Sequence, residues 1–462
     1  MKTFMPRPGR IASTLLSAAL LAGCAALPED RGMPQVQALL QERGLPAVSA
    51  PDKASAKLVD GILAGNPLSA DDAVRVALLS SPELRADYAR LGFSAAEVYD
   101  AGRLSNPVLS GAVLFTGTPG AVDRYDYGLS QDFLGLLLLP ARSRLAQAEF
   151  ERTRLEVGAA ILARSATVQA AYYRLIAAQE AQRLQQIVAE AADTSAQLAQ
   201  RYFDAGNLPE LELELNLAEA AQAQADAAAS HQEALAARID LRQLMGLTPD
   251  RDGWRVPEHL PAPPAQEDSL AELRTLAERS RLDLAAKRRE LAALEDALGV
   301  ARSYRLLGDA AIGVQGERDA DGTHLLGPTL SLQLPLFNQG EGTKLRAQAR
   351  LEQARAELDV LELQAANTIA LAQSRVASAR ERAERYHRDV VPRRERVVAL
   401  AQERANFMLI GPFELIRARR EEYDGYRGYL DSLRDYWLAR SELAREVGAR
   451  LPSDGAVTGE HP

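Results

Sequence analysis

A chain of 462 residues with a net charge of -9 has room for more than one domain, and its mildly acidic balance argues against nucleic acid as the main partner. Its residues are 47% hydrophobic but only 5% aromatic, a bias toward Ala and Leu that suits long helices packed through small side chains and excludes a large aromatic-rich core. The single cysteine, Cys24, rules out a disulfide framework or a thiolate metal site within the chain.

At the N-terminus, Lys2, Arg7 and Arg10 precede a short apolar stretch, Ile11 to Ala22. That run is too short to span a bilayer and reads as a signal peptide over residues 1–23. It ends in Leu21-Ala22-Gly23-Cys24, which resembles the lipobox of bacterial lipoproteins. The resemblance implies cleavage before Cys24 and a covalent lipid on it, with no other cofactor. Two or more acyl chains anchor a protein where one is marginal. Ala25, not an aspartate, follows, which under enterobacterial-type sorting implies the outer membrane. Residues 24–66 then read as an acylated linker. The longest later apolar run, Leu134 to Leu139, is far too short for a membrane helix, so any passage through a membrane must be by β-strands.

From residue 67 the chain states one pattern twice, at a spacing of about 200 residues. The first repeat, 67–246, opens with a helix from Ser69 to Leu104, where Ser69 and Asp72 form a capping box. Two strands follow, about 107–116 and 125–134, joined by a polar Gly-rich loop. A very long helix runs from Ala141 to Ala205 with Gly158 as its only breaker, and a turn leads to a helix from Pro209 to Met245. Residues 247–268 are a Gly/Pro-rich linker. The second repeat, 269–451, has a helix from Ser269 to Leu307 (capping box Ser269 and Glu272), strands about 309–317 and 326–336, and a long helix from Thr343 to Ile410 broken at Pro392. A helix from Pro412 to Ala449 closes it, and 452–462 form a tail.

The strands alternate with period two. Tyr125, Tyr127 and Leu129 oppose Asp126, Gly128 and Ser130, and Leu330, Leu332 and Leu334 oppose Thr329, Ser331 and Gln333. Apolar-out, polar-in alternation is the mark of a membrane β-barrel. Four strands cannot close one, because the smallest single-chain membrane barrels have about eight. The barrel must therefore be shared between chains, and three chains would supply about twelve strands. Helices of roughly 64 residues, about 95 Å long, belong in a bundle, a coiled coil or a barrel of helices. The expected fold is mainly α with a small membrane β component, four strands per chain and an internal two-fold repeat.

This order, with Ser81-Pro82-Glu83-Leu84, Ser105-Asn106-Pro107, Leu334-Pro335-Leu336-Phe337 and Gly206-Asn207, resembles the TolC-type outer-membrane efflux family over about Pro67 to Leu451. The resemblance implies a homotrimer whose twelve-stranded β-barrel sits in outer-membrane lipid while its α-barrel reaches into the periplasm. Its partners would be a periplasmic adaptor and an inner-membrane pump. The second-turn sequence Asn406 to Gly411, with Glu421 to Asp424, is similar to members associated with heavy-metal and copper tolerance. The cargo itself is not readable from the sequence: heavy metals, copper among them, and drugs are the candidates, and no His or Met cluster marks a metal path.

The resemblance also places acidic residues just past the helix-helix turns, where they constrict the pore. Glu210 and Glu414 stand at such positions, while Arg417 occupies a place where a second acid is often found. Six glutamates from three chains would disfavour anions; equally, Glu210 and Glu414 suit the first turn of a helix through the dipole. Gly206, Asn207 and Leu208 in the first turn, with Met408, Leu409, Ile410 and Gly411 in the second, are the expected adaptor-docking tip. The second turn's apolar character fits either docking or packing between neighbouring helices. Arg417, Arg419 and Arg420 read as surface charge, with adaptor contact the alternative, and the runs Arg380 to Arg388 and Arg393 to Arg396 read as solvated helix faces. Tyr423, Tyr426, Tyr429, Tyr436 and Trp437 form a stripe expected to pack on the adjoining long helix.

No catalytic constellation is visible, and the chain reads as a non-enzyme. His231, His259, His324, His387 and His461 are isolated and none has metal-ligand spacing. The rival reading is a coiled-coil lipoprotein tethering the outer membrane without a pore. It explains the lipobox and long helices but not two strand pairs in corresponding places.

Overall fold

A computed structural model describes residues 32–46, 53–65, 67–115, 117, 123–304, 309–319 and 321–456. The expected signal peptide, Cys24, His461 and the tail beyond residue 456 lie outside them. Helices make up 73% of the described residues, which otherwise hold only a small antiparallel sheet.

In chain order the elements are α1 (Met33–Gln41), α2 (Lys53–Leu63), α3 (Ala70–Ser80), α4 (Pro82–Ala101), β1 (Val108–Leu114), β2 (Arg124–Asp132), α5 (Phe133–Asp204) and α6 (Glu210–Leu244). There follow α7 (Leu270–Ser280), α8 (Leu282–Tyr304), β3 (Ala310–Arg318), β4 (His324–Leu332), α9 (Glu341–Arg385), a π-turn (Tyr386–Val390), α10 (Val391–Asn406), α11 (Pro412–Val447) and a 3₁₀ turn (Pro452–Ala456). From α3 to α6 and from α7 to α11 the sequence of helix, helix, two strands, long helix and shorter helix is the same.

Several boundaries differ from the sequence reading, each for a local reason. The helix expected from Ser69 to Leu104 is broken at Ser81, which is extended (ψ 123°) before Pro82, as the residue before a proline prefers. The corresponding helix breaks at Arg281 (ψ 109°) without a proline; there the guanidinium bridges Asp283 at 2.6 Å and the Glu446 carbonyl at 2.8 Å. Both capping boxes are present, with Ser69 serving Asp72 and Ser269 serving Glu272. The expected acylated linker contains helices α1 and α2. Val36, Leu40 and Val59 are buried, and the Arg43 side chain donates to the Ser280 carbonyl at 2.8 Å.

The long helices run through their supposed breakers. Helix α5 has 72 residues, about 108 Å at about 1.5 Å per residue. It begins straight out of β2 because Asp132, the last strand residue, accepts the Gly135 amide at 2.8 Å and caps the helix. The second strand therefore ends at Asp132, not at 134, and Leu134–Leu139 is helical. Gly158 lies inside α5, where a Cβ would stand 2.6 Å from Leu282 Cδ1; the glycine admits a neighbour and breaks nothing. At Pro392 the helix also continues. The π-turn bonds the Val391 amide to the Tyr386 carbonyl, one residue farther back than in an α-helix, and the widened turn makes room for the proline ring.

The chain forms two compact units. One holds the four strands with 90–150 and 296–347; the other holds 35–89, 151–295 and 348–462. The second has the larger apolar core, including Trp254, Tyr436, Leu175, Ile176, Leu241 and Leu273. Among the described residues no helix is long and apolar enough to cross a membrane.

Candidate functional site

The sheet is ordered β1-β2-β3-β4, all antiparallel, with β1 and β4 at its edges. Its register sorts the side chains. Leu109 pairs with Leu129, Leu129 with Val314 and Val314 with Pro328. On that face also fall Val113, Tyr125, Tyr127, Ile312, Leu326, Leu330 and Leu332, because residues two apart share a side. The opposite face carries Ser110, Arg124, Asp126, Ser130, Gln315, Glu317, Thr329 and Ser331. There Arg124 bridges Glu317 at 2.5 Å. The apolar face is bare in the single chain: Leu326 and Leu330 are each 73% exposed.

The two helix-helix turns lie in the other unit. The first reverses through Gly206 at φ 74°, the second through Met408 at φ 58°. Glycine adopts that left-handed conformation freely, whereas methionine is strained by it. The turns are neighbours: the Tyr202 and Phe413 rings meet edge to face at 6.1 Å, and Arg420 on α11 pairs with Glu219 on α6. A groove between them, of about 620 Å³, is lined in part by Glu212, Asn216, Glu219, Glu414, Arg417 and Arg420.

No family model matches the sequence, and no curated protein does either. Solved structures do. The outer-membrane channel CmeC of Campylobacter jejuni is 14% identical over 89% of this chain and 92% of its own, with a TM-score of 0.70. A membrane protein from Pseudomonas aeruginosa is 18% identical over 87% and 98%, at 0.69. The outer-membrane protein VceC of Vibrio cholerae is 18% identical over 82% and 96%, at 0.67. The fold is that of the TolC-type outer-membrane channels.

Within this channel fold the sequence-chosen residues are only partly gathered. Glu414 and Arg417 share the groove, but Glu210 does not line it. Glu210, Glu414 and Arg417 are exposed, and their side chains make no hydrogen bond or ion pair among the described residues. Of the tip residues, Gly206, Asn207, Met408, Leu409 and Gly411 are exposed while Leu208 and Ile410 are half-buried. Arg419 and Arg420, expected to be surface charge, are exposed and also ion-paired. Arg419 bonds the buried Glu422 at 2.8 Å, and Arg420 takes Glu219. Glu212 and Glu219 escaped the sequence reading, because only the folded seam between α6 and α11 turns them toward the second turn.

The aromatic stripe on α11 packs, as expected, and more broadly than onto one helix. Tyr426 bonds Glu395, and Tyr429 stacks on His387 at 5.5 Å. Trp437 stacks on Tyr173 at 4.6 Å and donates to the Pro261 carbonyl at 2.8 Å. One turn on, Arg440 is 3% exposed and pairs with Glu267 and with Asp454 at 2.8 Å. Burial works against that charge, but Asp454, Tyr436 and Glu267 outweigh it and hold the guanidinium above its ordinary range. Arg380, read from sequence as a solvated residue, reaches the same Glu267 at 3.1 Å. Among the described residues no group of three or more His, Asp or Glu could hold a metal ion.

Proposed function

We propose that this chain is the exit-duct subunit of a tripartite efflux system, forming a homotrimer in the outer membrane. The observation that carries it is the sheet, with one mainly apolar face, one mainly polar face and two open edges. In hydrocarbon each unpaired backbone group costs several kcal/mol, so β1 of one copy must pair with β4 of another. Closure in that manner turns the apolar faces to lipid and the polar faces to a water-filled lumen. Three copies, the number the family resemblance implies, give about twelve strands. A coiled-coil tether without a pore has no use for such a sheet.

The other parts follow from this reading. The lipid on Cys24 is a second anchor beside the barrel. Glu210 and Glu414 act as the acidic constriction, with Arg417 tempering it. The turns around Gly206 and Met408 dock a periplasmic adaptor, which links the duct to an inner-membrane pump. The cargo, a heavy metal or a drug, is chosen chiefly by that pump. The test is assembly and conductance together: a heat-modifiable trimer in detergent that conducts in planar bilayers is the expected result. A monomer, or an oligomer that passes no current, would overturn the proposal.

A further inference from the structure

The strands are short for their task. Nine residues, the length of β2, β3 and β4, extend about 30 Å; tilted by about 40° they rise only about 23 Å. The seven of β1 rise about 18 Å. The apolar band of such a barrel is about 25 Å tall and a typical hydrocarbon core about 30 Å. Against the apolar band the shortfall is about 2 Å at β2, β3 and β4 and about 7 Å at β1, and that surface has to come from elsewhere.

The unit that holds the sheet supplies it at the strand ends that lead into the long helices. Beyond β4, Leu334 continues the alternation of Leu330 and Leu332, and Leu336 and Phe337 follow. Phe337 is fully exposed, at 101%. Beyond β2, the first turns of α5 carry Leu136 and Leu137, 43% and 45% exposed. Six helical residues, Leu134 to Leu139, rise about 9 Å, enough for the shortfall. No charged residue occurs between 325 and 340 or between 133 and 141. Where charge resumes it is mainly basic: Arg142 and Arg144 on α5, Lys344 and Arg346 on α9, with Glu341 the one acid among them. Arg142, Arg144 and Arg346 are exposed.

We propose that residues 133–141 and 334–337 form a helical and loop collar that sits in the near leaflet below the barrel strands, with Arg142, Arg144, Lys344 and Arg346 on the phosphates of anionic phospholipid headgroups. This rests on the outer-membrane reading of the sheet. Long basic side chains reach the headgroup layer while their stems lie along apolar surface, and each contributes attraction to an anionic leaflet.

Site-directed spin labelling tests it on the full chain in phosphatidylglycerol/phosphatidylcholine vesicles. In a Cys24→Ser background each introduced cysteine is the only one. Labels at Leu137 and Phe337 are expected to be several-fold more accessible to oxygen than to a water-soluble nickel chelate, like labels at Leu129 and Leu330 on the strands. If the strand labels behave so and the collar labels meet nickel freely, the collar is overturned and the sheet reading stands. If the strand labels also meet nickel, the sheet reading itself fails. Spin-labelled lipid decides the basic residues. Wild type should hold phosphatidylglycerol in preference to phosphatidylcholine, and replacing the four cations with Gln should abolish that preference while inorganic phosphate leaves it unchanged. Equal selectivity in both proteins, or competition by free phosphate, would overturn headgroup binding.

Discussion

The Tyr436 hydroxyl donates a 2.5 Å hydrogen bond to Glu267 Oε1, and through that carboxylate the segment between α6 and α7 is fastened to α11. Arg440 and Arg380 bind the same carboxylate, while Asp454 and Ser453 hold Arg440 from the C-terminal turn. Removing the carboxylate leaves Arg440 buried with a single anionic partner. Glu267→Ala is therefore expected to destabilise the protein by about 2–4 kcal/mol, read as a lowered urea midpoint in detergent. Glu267→Gln should lose less, since an amide still accepts from Tyr436. Equal, negligible losses in both would show that the cluster contributes little.

A second close contact sits at the π-turn. A Cβ on Gly428 would stand 2.4 Å from Tyr386 Cε1, so α11 lies against the bulged helix only because position 428 has no side chain. Gly428→Ala should cost about 1–3 kcal/mol by overpacking. Tyr386→Ala, which empties the space, should absorb most of that cost in a double-mutant cycle. Additivity of the two changes would contradict the contact.

Stability should fall at both ends of the pH scale through identifiable pairs. The hydrogen bond from Arg380 holds Glu384 below the usual carboxylate range. Its contribution is present above that range and lost as pH falls through the lowered value. At the alkaline end the bond from Tyr426 to Glu395, with burial, pushes the phenol up to about 12. That contribution is complete below the ordinary tyrosine value of about 10 and disappears between there and about 12. Glu384→Gln should flatten the acid limb of a thermal-unfolding profile and Tyr426→Phe the alkaline limb, each without changing the other.

Much of this architecture was legible because the relevant forces are local. Period-two alternation places Tyr125, Tyr127 and Leu129 on one face before any partner strand is known, and Ser269 with Glu272 marks a helix start within four residues. Partners distant in sequence were not legible. Arg380 reads as one of many cations on a solvated face, and only the packing of α9, α11 and the linker brings it to Glu267, more than a hundred positions away. Pro392 signals a break, yet the π-turn absorbs it and the rod goes on. For the expected gate, the family resemblance pointed to Glu210 and Glu414; the groove at the turns holds Glu414 but not Glu210, and adds Glu212 and Glu219, whose orientation depends on the seam between α6 and α11.

That seam shapes the conductance prediction. Among the described residues Glu210 and Glu414 have no side-chain partner, so their charge is available to a pore. Glu210→Gln with Glu414→Gln should weaken cation preference in single-channel recordings, and Arg417→Gln should strengthen it. Opposite or absent shifts would remove these residues from the conduction path.

Met408 poses the sharpest test of the tip. It is the one non-glycine with positive φ among the described residues, and its side chain is 93% exposed, so it bears backbone strain without gaining burial. Strain retained at an exposed turn points to a use for the side chain. Phe407 and Leu409 beside it are also exposed, and an apolar patch of this kind suits a partner surface. Met408→Gly should leave stability unchanged or raise it by up to about 1 kcal/mol, because glycine accepts the left-handed conformation. The same variant should lower crosslinking to the adaptor, and Leu409→Asp should lower it further with the oligomer intact. If Met408→Gly crosslinks as wild type does, the side chain is not a docking element; if it unfolds the turn, the strain argument is wrong.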